Sequence, residues 1–231
     1  MPINFKNELL NKIKDKTAKV SIVGAGYVGL PLAVLCAEAC FDTVVIDIDT
    51  IRVEKLANGI SDVEAVPSTR LQNAIDGCLE FTSEFYNIGE SDVIILCVPT
   101  PLNKNYQPDL SYIQNAIESV SLFMRSGQLL ILESTSYPGT TEEILVTKVS
   151  TKGYNVGKNY FIGYSPERED PGNEQFTTFQ IPKVVSGHEK NCLIVVSAFY
   201  EKIISKIVPV SSTKTAEFTK LFENIYRSVN I

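Results

Sequence analysis

A short apolar strand, three spaced glycines and a helix constrain this chain more than anything else in it. Val20 to Val23 read as a buried strand, and Gly24, Gly26 and Gly29 follow at the G-x-G-x-x-G spacing. Val28 to Ala39 then reads as a helix, and Val44 to Ile46 as a second strand that runs into Asp47. Each part has a physical reason. One glycine permits the tight turn from strand to helix, one lets a pyrophosphate approach the main chain, and one lets the helix pack on the sheet. The start of the helix offers unpaired N–H groups and the positive end of a dipole to phosphates. Asp47 lies about 20 residues on, where a carboxylate can accept hydrogen bonds from a ribose diol and would repel a 2′-phosphate. Taken in this order, the parts predict a dinucleotide site for NAD rather than NADP. It is built from Gly24, Gly26, Gly29 and Asp47, with Tyr27 and Val28 of the same loop.

The chain has 231 residues, enough for one ordinary domain and part of another. With 44% hydrophobic and 21% charged residues, it can form a core and does not read as disordered. Its net charge of −6 argues against a general nucleic-acid or anionic-membrane binder, so an anionic ligand would need a local cationic pocket. The five cysteines (Cys36, Cys40, Cys78, Cys97 and Cys192) form no C-x-x-C pair and have no metal-ligand spacing. Reduced core thiols, no metal and a cytoplasmic location are the expectations. No signal-peptide pattern or membrane span is visible.

Along the chain, strands and helices alternate. Asn4 to Lys16 suggests an amphipathic helix, and Asp49 to Asn58 a helix ended by Gly59. Arg52 in that helix is either a surface charge or a group packed against the adenine or its ribose. Ser68 is a candidate cap for a helix over Thr69 to Asp76, followed by a strand over Leu79 to Thr82. The apolar run Asp92 to Val98 reads as a central parallel strand and ends in Val98-Pro99-Thr100-Pro101-Leu102, a rigid turn at the sheet's carboxyl edge. Asp109 and Ser111 offer caps for a helix from Tyr112 to Phe123.

Leu129 to Leu132 is a further buried strand, followed by the hydroxyl-rich stretch Glu133 to Thr141. Those hydroxyls suit a nucleotide or a reacting alcohol, or cap a helix over Glu142 to Ser150, with Thr140 or Thr141 as the cap. A strand over Asn159 to Gly163 leads into Tyr164-Ser-Pro-Glu-Arg-Glu-Asp-Pro-Gly-Asn173, which is either a solvated loop or a site. Lys183 to Ser186 and Lys206 to Val210 read as strands flanking a helix over Asn191 to Ile203. His188, the only histidine, fits a capping or surface role. Ser211 or Ser212 caps a last helix with the apolar stripe Phe218, Leu221, Phe222, Ile225 and Val229. Lys220 and Asn224, four apart, share a neighbouring face. That helix carries no stop signal and reads as cut within its length. The fold class is α/β, a doubly wound Rossmann-type parallel sheet with helices on both faces. Residues 1–210 form the nucleotide domain and 211–231 begin a long central helix.

Six motifs in order resemble the UDP-glucose/GDP-mannose dehydrogenase family, in particular the bacterial branch that oxidises UDP-N-acetylhexosamines at C6. They are Gly24-x-Gly-Tyr-Val-Gly-Leu-Pro-Leu-Ala33, Val98-Pro-Thr-Pro-Leu102, Pro108-Asp-Leu-Ser-Tyr112, Glu133-Ser-Thr-Ser-Tyr-Pro-Gly-Thr-Thr141, Tyr164 to Asn173, and Ala216-Glu-x-x-Lys-Leu-x-Glu-Asn224 with the Tyr226-Arg that follows. The resemblance implies two successive oxidations, alcohol to aldehyde to acid, with two NAD⁺. It implies that Asp47 holds the adenosine ribose, and that Pro99 and Thr100 line the cofactor site. Thr135 would hold a water or the substrate oxygen near C6, within reach of the cofactor. Glu167 would be the acid/base for thioester hydrolysis, Lys220 would stabilise charge on the C6 oxygen, and Asn224 would orient it. An ammonium beside a developing alkoxide and a carboxylate beside an acyl carbon are chemically apt for those tasks. Arg168 is a candidate substrate contact or ion-pair member. The substrate would be a UDP-sugar, the full-length protein a homodimer through its central helix, and the product a precursor of surface polysaccharide.

This sequence departs from the family pattern in two ways. None of the five cysteines lies in the family's glycine–cysteine loop, whose nucleophile belongs to a second domain, so full turnover is not expected of these residues alone. Cys40-Phe41 stands where a glycine commonly precedes the second strand. Two other readings compete. A two-electron β-hydroxyacid-type dehydrogenase also uses a Lys-x-x-x-Asn pair and needs no cysteine, and an NAD-binding regulatory module would need neither Lys220 nor Glu167.

Overall fold

Eight short strands build one sheet. They are β1 (Val20–Val23), β2 (Thr43–Ile46), β3 (Leu79–Thr82), β4 (Val93–Leu96), β5 (Leu129–Leu132), β6 (Phe161–Tyr164), β7 (Lys183–Gly187) and β8 (Ile207–Pro209). The computed structural model describes residues 3–104, 107–167 and 182–230. The sheet order is β3-β2-β1-β4-β5-β6-β7-β8. The chain reverses its winding between β1 and β4, which pair from Val20↔Val93 to Val23↔Leu96. An open α/β sheet leaves a crevice for ligands at such a switch point, beyond the strands' carboxyl ends.

The first six strands are parallel, as expected. β7 is not, since it pairs antiparallel with β6 through Gly163↔Gly187 and Tyr164↔Ser186. β8 then pairs parallel to β7. The pattern Lys-Val-Val-Ser is apolar enough for a buried strand in either direction, so its composition carries no signal of the reversal.

Alternate strand residues feed two cores. Ile22, Val45, Val93, Ile95, Leu129, Ile131, Phe161 and Val185 face helices α1 (Phe5–Lys14), α2 (Gly29–Glu38), α4 (Ser68–Gly77) and α7 (Lys190–Tyr200). On the opposite face, Val23, Ile94, Leu96, Leu130, Leu132 and Ile162 meet α5 (Ser111–Ser121), α6 (Thr147–Thr151) and the start of α8 (Thr213–Asn230). Burying a Leu, Ile or Val side chain is worth about 1.5–3 kcal/mol, which is why four-residue strands suffice. The remaining helix, α3 (Thr50–Ala57), packs beside β3. Among the described residues, no helix is long and apolar enough to cross a membrane.

Several local expectations change. Ser68 is the first residue of α4 rather than its cap, and its hydroxyl accepts from the Ser61 N–H at 3.1 Å. Neither Thr140 nor Thr141 caps the next helix with its side chain. Thr141 to Val146 form a π-helical stretch that continues into α6, where an α-helix alone was expected. The last helix is capped by Ser212, whose hydroxyl accepts from the Thr215 N–H at 3.1 Å. Cys36, Cys97 and Cys192 are buried thiols, but Cys40 is exposed and Cys78 half-buried. Cys40 adopts φ 65°, a left-handed conformation that suits glycine, at the position noted above.

Candidate functional site

The glycine loop is shaped by two close approaches. Gly24 has φ +104°, and a Cβ there would lie 2.6 Å from the Cys97 carbonyl oxygen. A Cβ on Gly29 would sit 1.9 Å from the Gly24 carbonyl oxygen, so only glycine lets α2 start this close to β1. Gly26 differs from both, because a Cβ there would meet nothing within 4 Å. Its freedom serves something outside the chain, as a pyrophosphate resting on the backbone requires. Tyr27 is 70% exposed beside it, and Val28 is half-buried.

Asp47 closes this loop from β2. Its carboxylate accepts from the Ala25 N–H at 2.7 Å and from the Asp49 N–H at 2.9 Å. The acid is therefore held at the carboxyl edge beside the glycines, half-buried, where a ribose diol can reach it. Arg52 is tied into the glycine loop. Its Nε donates to the Ala25 carbonyl at 2.9 Å, and its two terminal nitrogens donate to Asp62 at 2.8 and 2.7 Å. It braces the glycine loop against the segment after α3. These features fit NAD: an unfilled approach over Gly26, a helix start behind it and a carboxylate at ribose distance in sequence.

The loops after β4 and β5 continue the same edge. Pro99 is exposed and Thr100 half-buried. Ser134 ties the two loops together by donating to the Val98 carbonyl at 2.7 Å. Thr135 next to it is exposed at the rim. Thr140 donates to the Tyr137 carbonyl at 2.8 Å and Tyr137 to Glu143 at 2.6 Å, so part of the hydroxyl cluster is spent on the loop itself.

Glu167 follows β6 and is 7% exposed. Lys220 of α8 donates from Nζ to the Glu167 backbone carbonyl at 2.5 Å. The chain thus brings these two candidate groups together from positions 53 apart. Asn224 is exposed one turn further along α8. Arg168 lies outside the described residues. His188 has Nδ1 3.9 Å from Glu142, away from these groups.

The sequence reading missed two groups of residues. Glu217 on α8 accepts from Gly139 N–H at 2.6 Å, Thr141 N–H at 2.8 Å and Thr141 Oγ1 at 2.6 Å, and is fully buried. It fixes the helix that carries Lys220 to the loop that carries Thr135. Burial pushes its carboxyl up, against the pull of those three donors. Glu133, Lys183 and Tyr200 form a buried cluster behind Glu167. Lys183 Nζ lies 3.0 Å from Glu133 and 3.6 Å from Glu167, and the Tyr200 hydroxyl donates to Glu133. Ala216-Glu217 and Glu133-Ser134 stood inside quoted motifs, but nothing in a single sequence pairs residues 76 or 50 positions apart.

Comparison with known proteins gives this arrangement its place. Residues 18–204 match the model of the UDP-glucose/GDP-mannose dehydrogenase family, NAD binding domain. The chain belongs to this family. NAD is the cofactor of this domain in the UDP-glucose/GDP-mannose dehydrogenases. The UDP-N-acetyl-D-glucosamine 6-dehydrogenase of Pseudomonas aeruginosa is 38% identical over 219 residues, covering 94% of this chain and 51% of that protein. The solved UDP-D-ManNAc dehydrogenase of Pyrococcus horikoshii superposes with a TM-score of 0.87 at 32% identity, covering 92% of this chain and 51% of the other. Cap5O, a UDP-N-acetyl-mannosamine dehydrogenase of Staphylococcus aureus, gives 0.84 at 30% identity, with 93% and 52% covered. The chain spans about half the length of the curated relatives it matches.

Proposed function

We propose that this chain is the NAD-binding part of a nucleotide-sugar 6-dehydrogenase that oxidises the C6 hydroxyl of a UDP-N-acetylhexosamine to the acid. The observation that carries the reading is the meeting of Lys220 with Glu167 at the edge where the Gly26 and Thr135 loops emerge. NAD⁺, when bound, supplies the hydride acceptor. Gly24, Gly26, Tyr27, Val28 and Gly29 hold its pyrophosphate region, Asp47 its adenosine ribose, and Pro99 and Thr100 line the remainder. Thr135 holds a water or the C6 oxygen. Lys220 stabilises negative charge as that oxygen loses its proton, and Asn224 keeps the ammonium in place. Glu167 serves the hydrolysis that follows the second oxidation, taking a proton from the water that attacks the thioester carbon as the cysteine thiolate of the second domain leaves. Arg52 braces the cofactor loop from the side of the adenine and its ribose.

Residues 1–210 are assigned to the nucleotide domain and 211–231 to the connecting helix, through which the whole protein would pair with a second copy. A cytoplasmic enzyme supplying surface polysaccharide is the setting this implies. Two measurements test the reading. Calorimetric titration with NAD⁺ should show binding that Asp47→Ala abolishes while the protein remains folded at the titration temperature. The whole enzyme should then release two NADH per UDP-N-acetylhexosamine. One NADH per substrate would instead favour a two-electron dehydrogenase that uses Lys220 and Asn224 alone.

A further inference from the structure

Lys183 is the first residue of β7, and its side chain is 7% exposed. Its Nζ stands 3.0 Å from Glu133 Oε2 and 3.6 Å from Glu167 Oε2, two carboxylates from the ends of neighbouring strands. The Tyr200 hydroxyl donates to the other Glu133 oxygen, and the ammonium lies 5.3 Å from the Tyr200 ring centroid, within cation–π range. A buried ion pair is a poor device for stability, because well-packed apolar side chains of the same volume do as well or better. Its retention directly behind Glu167 therefore calls for a reason other than packing.

We propose that Lys183 is a positioning residue for Glu167: clamped by Glu133 and Tyr200, its ammonium holds the Glu167 carboxylate in place as a fixed neighbouring charge. The proposal rests on the reading of Glu167 as the group that activates water. Among the described residues, the charges and titratable groups around Glu167 come from four elements. Lys183 on β7 is the near cation, and Glu133 after β5 is the competing carboxylate. Cys97 after β4 is a thiol that burial keeps neutral. Lys220 on α8 donates to the Glu167 main chain. Burial works against the charge on Lys183, but the two carboxylates outweigh it and hold the ammonium above its usual range. Burial pushes Glu133 up to about 7, so near neutral pH it is the partner that takes or gives a proton. Glu133 and Tyr200 serve as the clamp, and Lys183 carries the charge that matters.

The test follows the carboxyl carbon of Glu167 by NMR across a pH titration of this chain, assigned with Glu167→Gln. In Lys183→Met the Glu167 signal should titrate about one pH unit or more higher than in the unmodified chain, the size expected for losing an opposite charge at this distance. Glu133→Gln should leave it equal or lower, because it removes a competing carboxylate and keeps the cation. A general loosening of the cluster would move both variants the same way, so matching upward shifts overturn the proposal. Should Lys183→Met fail to fold, Lys183→Met with Glu133→Gln buries no uncompensated charge between the two and takes its place, with the upward shift then expected relative to Glu133→Gln alone. An unmoved Glu167 signal in every variant lacking the lysine also overturns it. In the whole enzyme, the pH profile of the second NADH should shift with the Glu167 signal. A shifted signal with an unshifted profile would uphold the Lys183 assignment and remove Glu167 from the water-activating role.

Discussion

At the scale of single residues, Gly26 and Gly29 make opposite predictions. Gly29→Ala forces a Cβ to within 1.9 Å of the Gly24 carbonyl, and neither main chain can yield easily. It should cost about 3 kcal/mol of stability, visible as a lower denaturation midpoint with or without cofactor. Gly26→Ala adds a methyl to open space and should change stability by less than about 0.5 kcal/mol. Its effect should appear only in NAD⁺ titration, as an affinity loss of roughly tenfold or more, equal to about 1.4 kcal/mol. A Gly26→Ala protein that binds NAD⁺ normally would mean the pyrophosphate does not pass over this residue. The three glycines look alike in the sequence, and spacing alone could not divide them into two that fit the chain and one that fits a ligand. Arg52 shows the same limit. Its charge was visible, but its use as a brace between Ala25 and Asp62 depends on a carboxylate that no motif includes.

At the scale of elements, α8 is anchored through its first turns. Thr213, Ala216 and Glu217 are buried, whereas Phe218, Leu221, Phe222, Ile225 and Val229 are exposed. The Glu217 carboxylate anchors the helix by satisfying two N–H groups and a hydroxyl of the 139–141 loop. Glu217→Ala leaves those buried donors without an acceptor and should cost about 3 kcal/mol in urea denaturation. It should also expose α8 to proteolysis before the sheet unfolds. Uniform loss of protection across the whole chain would argue against α8 as a separately anchored unit. Most elements were readable from local pattern, because each buried strand is a four-residue apolar run between turn residues. The π-helical stretch Thr141–Val146 was not. Its register depends on where Glu217 pulls Thr141, a contact 76 residues away.

At the scale of the whole molecule, two buried carboxylates give stability opposite dependences on pH. Asp92 is 3% exposed and joins α1 to the sheet, accepting from Lys12 at 2.7 Å, Arg125 at 2.8 Å and the Lys19 N–H at 3.1 Å. Burial opposes its charge, but those donors win and hold its carboxyl below the usual range. Its contribution is present above the unfolded value of about 3.9 and fades as pH falls through the folded one. Asp92→Asn should therefore be less stable by about 2 kcal/mol at neutral pH, with the gap closing in acid. Glu133 runs the other way. Its folded value of about 7 lies above the unfolded value of about 4.3, so the fold binds the proton more tightly and loses stability as pH rises between them. Glu133→Gln should flatten that decline in urea midpoints measured across the same window. The doubly wound fold class followed from the glycine motif and the alternation of elements. These long-range charges did not, because Asp92 read as the start of a strand and Lys183 as the start of another.

The reversal of β7 decides what kind of support the rim of this sheet has. Six strands reach that rim by their last residues, and what they present there is carried on the loops that follow. β7 arrives backwards and presents its opening residue while still bonded in the ladder, with Lys183 paired to Ile207 and its N–H on the Lys206 carbonyl. Run the other way, the same strand would carry Lys183 to the far rim, roughly 13 Å off. One corner of the rim thus works as an anvil, a cation set by the sheet's own ladder rather than by a loop.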